Sequence, residues 1–342
     1  MGDISAARQA VDRGDWRAAL DALDATGDPS GDTAADAERL ELRAMALYGD
    51  GDFEASITAW EDLHVLLLEH DDRPEAARAA AMVAMFLMMD TGLMAAVRAW
   101  LRRAERVLEG LDETSAHAII AAAGAYERFM CGDMVAARAN AARALDVGAR
   151  LGVDSVVMIA RVCTARVTIF EGRVDDGLDQ LDEIAIDLAS GAVDPLTTGI
   201  MYCELICAAQ GMALHDRAAE WTDVMHRWRR GAGIGAIAGR CRVHRAEVLR
   251  MSGPCDLAEE EALGACDELR PWMRREFGWP LVELGNIRLR RGDLDGAEEA
   301  FLGAHEHAWS PHPGLALLRL AQGDAEAAAM MIADAIEHPF DI

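Results

Sequence analysis

Lysine is absent from this sequence: every one of the 33 basic residues among its 342 is arginine. That excludes chemistry built on a lysine amine, namely the phosphate-binding lysine of a P-loop, the Schiff base of a pyridoxal enzyme and the nucleotide-binding lysine of a kinase. Proline (9) and aromatic residues (5%) are also sparse, so the apolar half of the chain is mainly alanine and leucine, the material of helices rather than strands. Long hydrophobic runs are missing. The most apolar stretch, residues 79–89, is bounded by Arg78 and Asp90, well short of the ~18 residues that span a bilayer, so no membrane association is expected. Met1-Gly2-Asp3-Ile4-Ser5 lacks the basic start and apolar core of a secretory signal. Seven cysteines without framework spacing read as reduced thiols, and both features point to the cytoplasm. With 59 acidic residues and a net charge of -26, the chain has no surplus of cations for phosphate backbones, and nucleic acid is not an expected partner.

What is present is repetition. A Gly-Asp pair recurs as Gly14-Asp15, Gly51-Asp52, Gly132-Asp133, Gly292-Asp293 and Gly323-Asp324. Gly92, Gly172 and Gly253 keep the glycine alone, and a sixth repeat turns near Ala213 to Asp216 with neither residue. The period is near 40 residues. Glycine at a helix end supplies a left-handed backbone, and the aspartate after it caps the next helix, so each pair specifies a helical hairpin. Small residues repeat in phase: Ala19, Ser56, Ala137, Gly177, Ala258, Ala297 and Ala328 stand five after the turn, and Ala7, Ala44, Ala125, Ala165, Ala246, Gly285 and Ala316 seven before it. These positions predict two helices in close approach.

The spacing G-D-x-x-x-A, with a small residue two turns earlier, resembles the tetratricopeptide repeat (TPR). The longer period is similar to the sensor arrays of MalT-like, LuxR-type bacterial regulators, most specifically in Gly239–Arg250, Glu283–Gly292 and Pro313–Gly323. The resemblance implies an all-α fold, an α-solenoid of about nine hairpins forming a right-handed superhelix. It implies one array over residues 1–342, with N-terminal repeats in 1–72, central repeats with an apolar concave face in 73–230 and Arg-rich repeats in 231–342. No G-x-x-x-x-G-K motif and no helix-turn-helix accompany it, so a direct role as a transcription factor is not expected.

In that architecture the first helix of each hairpin lines the concave surface, at positions about 10, 6, 3 and 2 before the turn glycine. The offset selects Met82, Phe86 and Met89, then Tyr126, Phe129 and Met130, then Val162, Arg166, Ile169 and Phe170, with Cys203 and Cys207 in the sixth repeat. An apolar groove of soft and aromatic side chains suits an amphipathic partner helix or an oily ligand. The same stripe also fits a packed core. Arg166 needs a partner, either an internal carboxylate such as Glu127 or Glu204 or the acidic end of a ligand.

Between Arg227 and Arg291 there are 13 arginines against 9 acidic residues. Inward offsets here pick out Glu247 and Arg250 on one helix, with Arg240 about a turn earlier, and Asn286 and Arg290 on the next. Guanidinium groups on adjacent helices grip a carboxylate or phosphate, or else form a salt-bridge ladder through Glu247 and Glu283. Cys203, Cys207, Cys241 and His244 have the residue types of a zinc set, but buried cysteines are common and no metal or cofactor is expected. Gly231–Gly235 lacks the last glycine of a dinucleotide fingerprint and reads as an inter-repeat turn. The expected function is a non-catalytic, regulatory scaffold that takes a protein segment or small effector on its concave face. The alternative is a small-molecule protein or enzyme enclosing a hydrophobic substrate in an apolar channel.

Overall fold

A computed structural model describes residues 4–27, 31–90, 93–232, 235–269, 277–307 and 309–337. Among them are eighteen helices and no strand, arranged as successive hairpins. The first six are α1 (Ile4–Asp12) with α2 (Trp16–Ala25), α3 (Thr33–Asp50) with α4 (Phe53–Glu69), α5 (Arg73–Asp90) with α6 (Met94–Leu108), α7 (Ser115–Met130) with α8 (Met134–Leu151), α9 (Asp154–Phe170) with α10 (Val174–Ala189), and α11 (Pro195–Gly211) with α12 (His215–Ala232). Three more follow: α13 (Gly235–Ser252) with α14 (Cys255–Leu269), α15 (Gly278–Arg291) with α16 (Leu294–Glu306), and α17 (Gly314–Ala321) with α18 (Ala325–Glu337). The chain divides into two compact units, Met1–Ile237 and Ala238–Ile342.

The Gly-Asp turns work as their chemistry requires. Gly14, Gly51, Gly132, Gly292 and Gly323 all have positive φ, between 69° and 94°. Each following aspartate accepts a hydrogen bond from the backbone N–H three residues on, at 3.0–3.3 Å. Gly172 and Gly253 also turn left-handed, and in the sixth repeat Ala213 does so without being glycine (φ 56°). Gly92 and part of Gly231–Gly235 lie outside the described residues.

The small residues hold each pair of helices together. Ser56 Oγ donates to the carbonyl of Ala44 at 2.8 Å, joining the +5 and -7 positions of one hairpin. A Cβ on Gly177 would stand 2.8 Å from the carbonyl oxygen of Ala165, the same pair in the fifth repeat. One on Gly285 would enter the ring of Phe301.

In the first unit the first helices touch across repeats, α1 with α3, α5 with α7, α7 with α9 and α9 with α11, whereas among the described residues second helices meet only as α10 with α12. The first helices therefore form the tighter, inner layer and α2, α4, α6, α8, α10 and α12 the outer one. The core lies between the layers, as where Ala77, Ala81 and Ala84 of α5 pack on Val97, Leu101 and Ala104 of α6. In the second unit Ala246, Ala258, Ala262, Leu284, Ile287 and Ala300 form the equivalent cluster.

Candidate functional site

Within the inner layer of the first unit the candidate site lies on α7, α9 and α11, each ending at a turn that fixes its register. Phe129 and Phe170, at equivalent ends of α7 and α9, meet edge to face with centroids 5.3 Å apart. The Arg166 guanidinium lies 4.7 Å from the Phe129 ring centroid and donates from Nη1 to Glu204 Oε2 on α11. Burial opposes the guanidinium charge, but Glu204 more than offsets this and raises the Arg166 pKa. The pair is partly screened, with 18% and 22% of the two side chains exposed. Beside it the Tyr126 ring is half-buried, and its hydroxyl is enclosed without a hydrogen-bond partner among the described residues. Burial, with Glu204 next, pushes the phenol well above its ordinary range. The same two causes push the Cys163 thiol up to about 12, so it is inert.

The apolar positions divide by exposure. Phe86 packs in a core of Tyr48, Phe53 and Trp60, and Val162 and Cys203 are buried elsewhere in the layer. Met82, Met89, Ile169 and Cys207 are half-buried. Met130 and Phe170 remain open to solvent, 43% and 59% exposed. The accessible surface is thus an apolar strip at the C-terminal ends of α7 and α9, flanked by a neutral Arg–Glu pair.

In the second unit the arginines are largely engaged. Arg250 Nε donates to Glu283 Oε1 at 2.5 Å, and Asn286 Nδ2 approaches the other carboxylate oxygen at 3.5 Å. Glu283 is buried, which raises its pKa to about 7 although Arg250 pulls it down. Arg242 bridges Glu261 and Glu268, both at 2.7 Å, while Arg288 and Arg291 share Glu259. The acidic residues of α14 therefore cancel much of the local surplus. Arg240 is buried, Glu247 half-buried and Arg290 exposed. Cys203 and Cys207 belong to α11 of the first unit, and Cys241 and His244 to α13 of the second.

No protein-family model and no curated protein matches the sequence. Solved structures do. A Rap protein in complex with competence and sporulation factor superposes with a TM-score of 0.62 at 10% identity, over 98% of this chain and 96% of that one. Aspartyl phosphate phosphatase F from Bacillus subtilis gives 0.52 at 12% identity, over 98% and 92%. A signal transduction ATPase with numerous domains and a tetratricopeptide repeat sensor, from Pyrococcus horikoshii, gives 0.55 at 14% over 95% of this chain, which spans 52% of that protein. The chain has the tetratricopeptide-repeat fold.

The likeness is to tetratricopeptide solenoids at large and does not single out the MalT-like arrays. Of the residues selected by the offsets, the structure brings Tyr126, Phe129, Arg166 and Phe170 into contact, whereas Ile169 packs against Gly177 of α10, between the layers. Phe86 and Val162 are on the core side, because these TPR helices pack on two neighbours and a three-position offset spans the boundary between core and groove. The offsets are silent on the outer helices. The signal there was the charge of each helix taken separately, which the running total of the chain conceals.

Proposed function

We propose that this chain is a non-catalytic tetratricopeptide scaffold, cytoplasmic and regulatory, that binds a protein segment along the inner layer of its first unit. One observation carries the reading: Phe170 and Met130, at the C-terminal ends of α9 and α7, stay exposed, whereas Phe86, Phe129 and Val162 of the same layer are buried. Exposed aromatic and methionine side chains on a rigid helical layer are suited to an amphipathic helix or extended segment. A fold that holds a factor in the Rap complex supports the same assignment.

An amphipathic small molecule with an acidic end fits less well. Arg166 and Arg250 already face carboxylates, so an incoming acid would have to displace Glu204 or Glu283. An enclosed hydrophobic substrate is likewise disfavoured, since Phe86 and Val162, which would line its channel, are packed. The test is to pan a random peptide library against the full chain and measure the selected peptides on two variants. Phe170→Asp should weaken them by about tenfold or more, the effect of losing one well-packed aromatic contact. Leu302→Ser, on the exposed face of α16, should leave them unchanged. Selected peptides that bind Phe170→Asp as well as the parent would reject the site.

A further inference from the structure

The outer layer of the first unit carries a charge pattern that the inner-face function does not use. On α6 there are four arginines against one glutamate, and on α8 three arginines against one aspartate. On α10 there are six acidic residues and no arginine. This is a sharp reversal across three consecutive hairpins of a chain whose net charge is -26. Internal pairing does not consume it. Arg102 and Arg106 are exposed and form no ion pair among the described residues, and neither do Asp175, Asp179 and Glu183 on α10. By contrast, Arg98, Arg138, Arg150, Asp182 and Asp187 are each bridged to neighbouring helices or loops.

The unpaired groups are arranged in matching rows. Arg102 and Arg106 are four residues apart on α6, as are Asp175, Asp179 and Glu183 along α10, so each set forms one stripe on its helix. The helix between them offers apolar surface: Val135 of α8 is 83% exposed, and Ile186 continues the α10 stripe at 71%. α8 lies between α6 and α10 by way of the inner helices, since α6 and α8 both pack on α7, and α8 and α10 both pack on α9. A two-fold axis through α8 would reverse the order in a second copy, setting the basic stripe of each α6 against the acidic stripe of the other α10. Such a contact is isologous, closes at two copies and satisfies both charge rows at once.

We propose that the outer face of α6, α8 and α10 is a self-association surface, and that its occupant is a second copy of this chain in antiparallel register. The inference is independent of the inner-face reading. Charge complementarity selects the partner, because a purely acidic one would meet α10 and a purely basic one α6 and α8. Helices of 15 to 18 residues give a patch of roughly 600 Å² on each copy, at the lower end for a specific interface, so the dimer is reversible. The charges contribute specificity more than affinity.

The experiment is a charge exchange followed by sedimentation velocity on the full chain over a concentration series. The parent should approach twice the 36.9 kDa of one chain at the highest concentrations. Arg102→Glu with Arg106→Glu should remain monomeric, and so should Asp179→Arg with Glu183→Arg. An equimolar mixture of these two variants should recover the dimer, since each then carries what the other lacks. Circular dichroism establishes that both are folded, and the milder Arg102→Gln with Arg106→Gln, expected to weaken the dimer, replaces the reversal if that one misfolds. A parent that is monomeric throughout, a variant that dimerises as the parent does, or a mixture of folded variants that stays monomeric would each overturn the proposal.

Discussion

Arg166 is held on two sides, by the ring of Phe129 and by the carboxylate of Glu204, so its removal acts on the fold before it acts on any partner. Arg166→Ala should lower stability by about 1–3 kcal/mol, less than for a fully enclosed pair because both side chains retain some solvent. Phe170→Ala, at an exposed site, should stay within about 0.5 kcal/mol. Thermal melts of the two variants check the contrast, and an unchanged midpoint for Arg166→Ala would show that the pair is not structural. Glu283 provides a pH signature. Its pKa is raised from 4.5 to about 7, so the folded state binds this proton more tightly than the unfolded chain. Its contribution is full below about pH 4.5 and is lost as the pH rises through 7. Relative to Glu283→Gln, the parent should therefore lose on the order of 1–3 kcal/mol between pH 5 and 8 in urea titrations. Parallel pH profiles would refute this. His64 has the opposite sign in the other unit: burial lowers its pKa below 6.5, so its contribution declines as the medium becomes more acidic.

Each hairpin is specified by two local requirements, a left-handed turn and a close helix approach, and each can be altered separately. Ala213 is in the left-handed region that its seven described counterparts occupy with glycine. Ala213→Gly should stabilise the chain by about 0.5–1 kcal/mol, because relief of the Cβ clash exceeds the added freedom of the unfolded backbone. Gly177→Ala should do the reverse. The added methyl would lie 2.5 Å from Ile169 and 2.8 Å from a backbone oxygen, and forcing α9 and α10 apart costs about 1–3 kcal/mol. Chemical denaturation of both variants tests the pair, and stabilisation by Gly177→Ala would contradict the packing described. These features were legible beforehand because turn and cap chemistry depends on residues within five positions of one another. The loss of glycine in the sixth repeat left only a weaker cue, yet the backbone turns there all the same.

At the scale of the molecule, the division into two units, each with its own core, predicts that unfolding is not two-state. Calorimetry should give a van't Hoff enthalpy below the calorimetric one, and equality of the two would count against independent cores. The sequence alone determined that the chain is helical, that its hairpins repeat near every 40 residues, where they turn and which small residues join them. All of that follows from interactions within one repeat. Tertiary structure decided which inward residues are core and which are surface: Phe86 and Phe170 share a repeat pattern, but only Phe86 is covered by an aromatic cluster from neighbouring helices. It also decided that Arg166 meets Glu204 and Arg250 meets Glu283, partners 38 and 33 residues apart. Such pairings depend on how far each hairpin is rotated against the next. That rotation is set by the packing of whole helix faces, and no short stretch of sequence contains it.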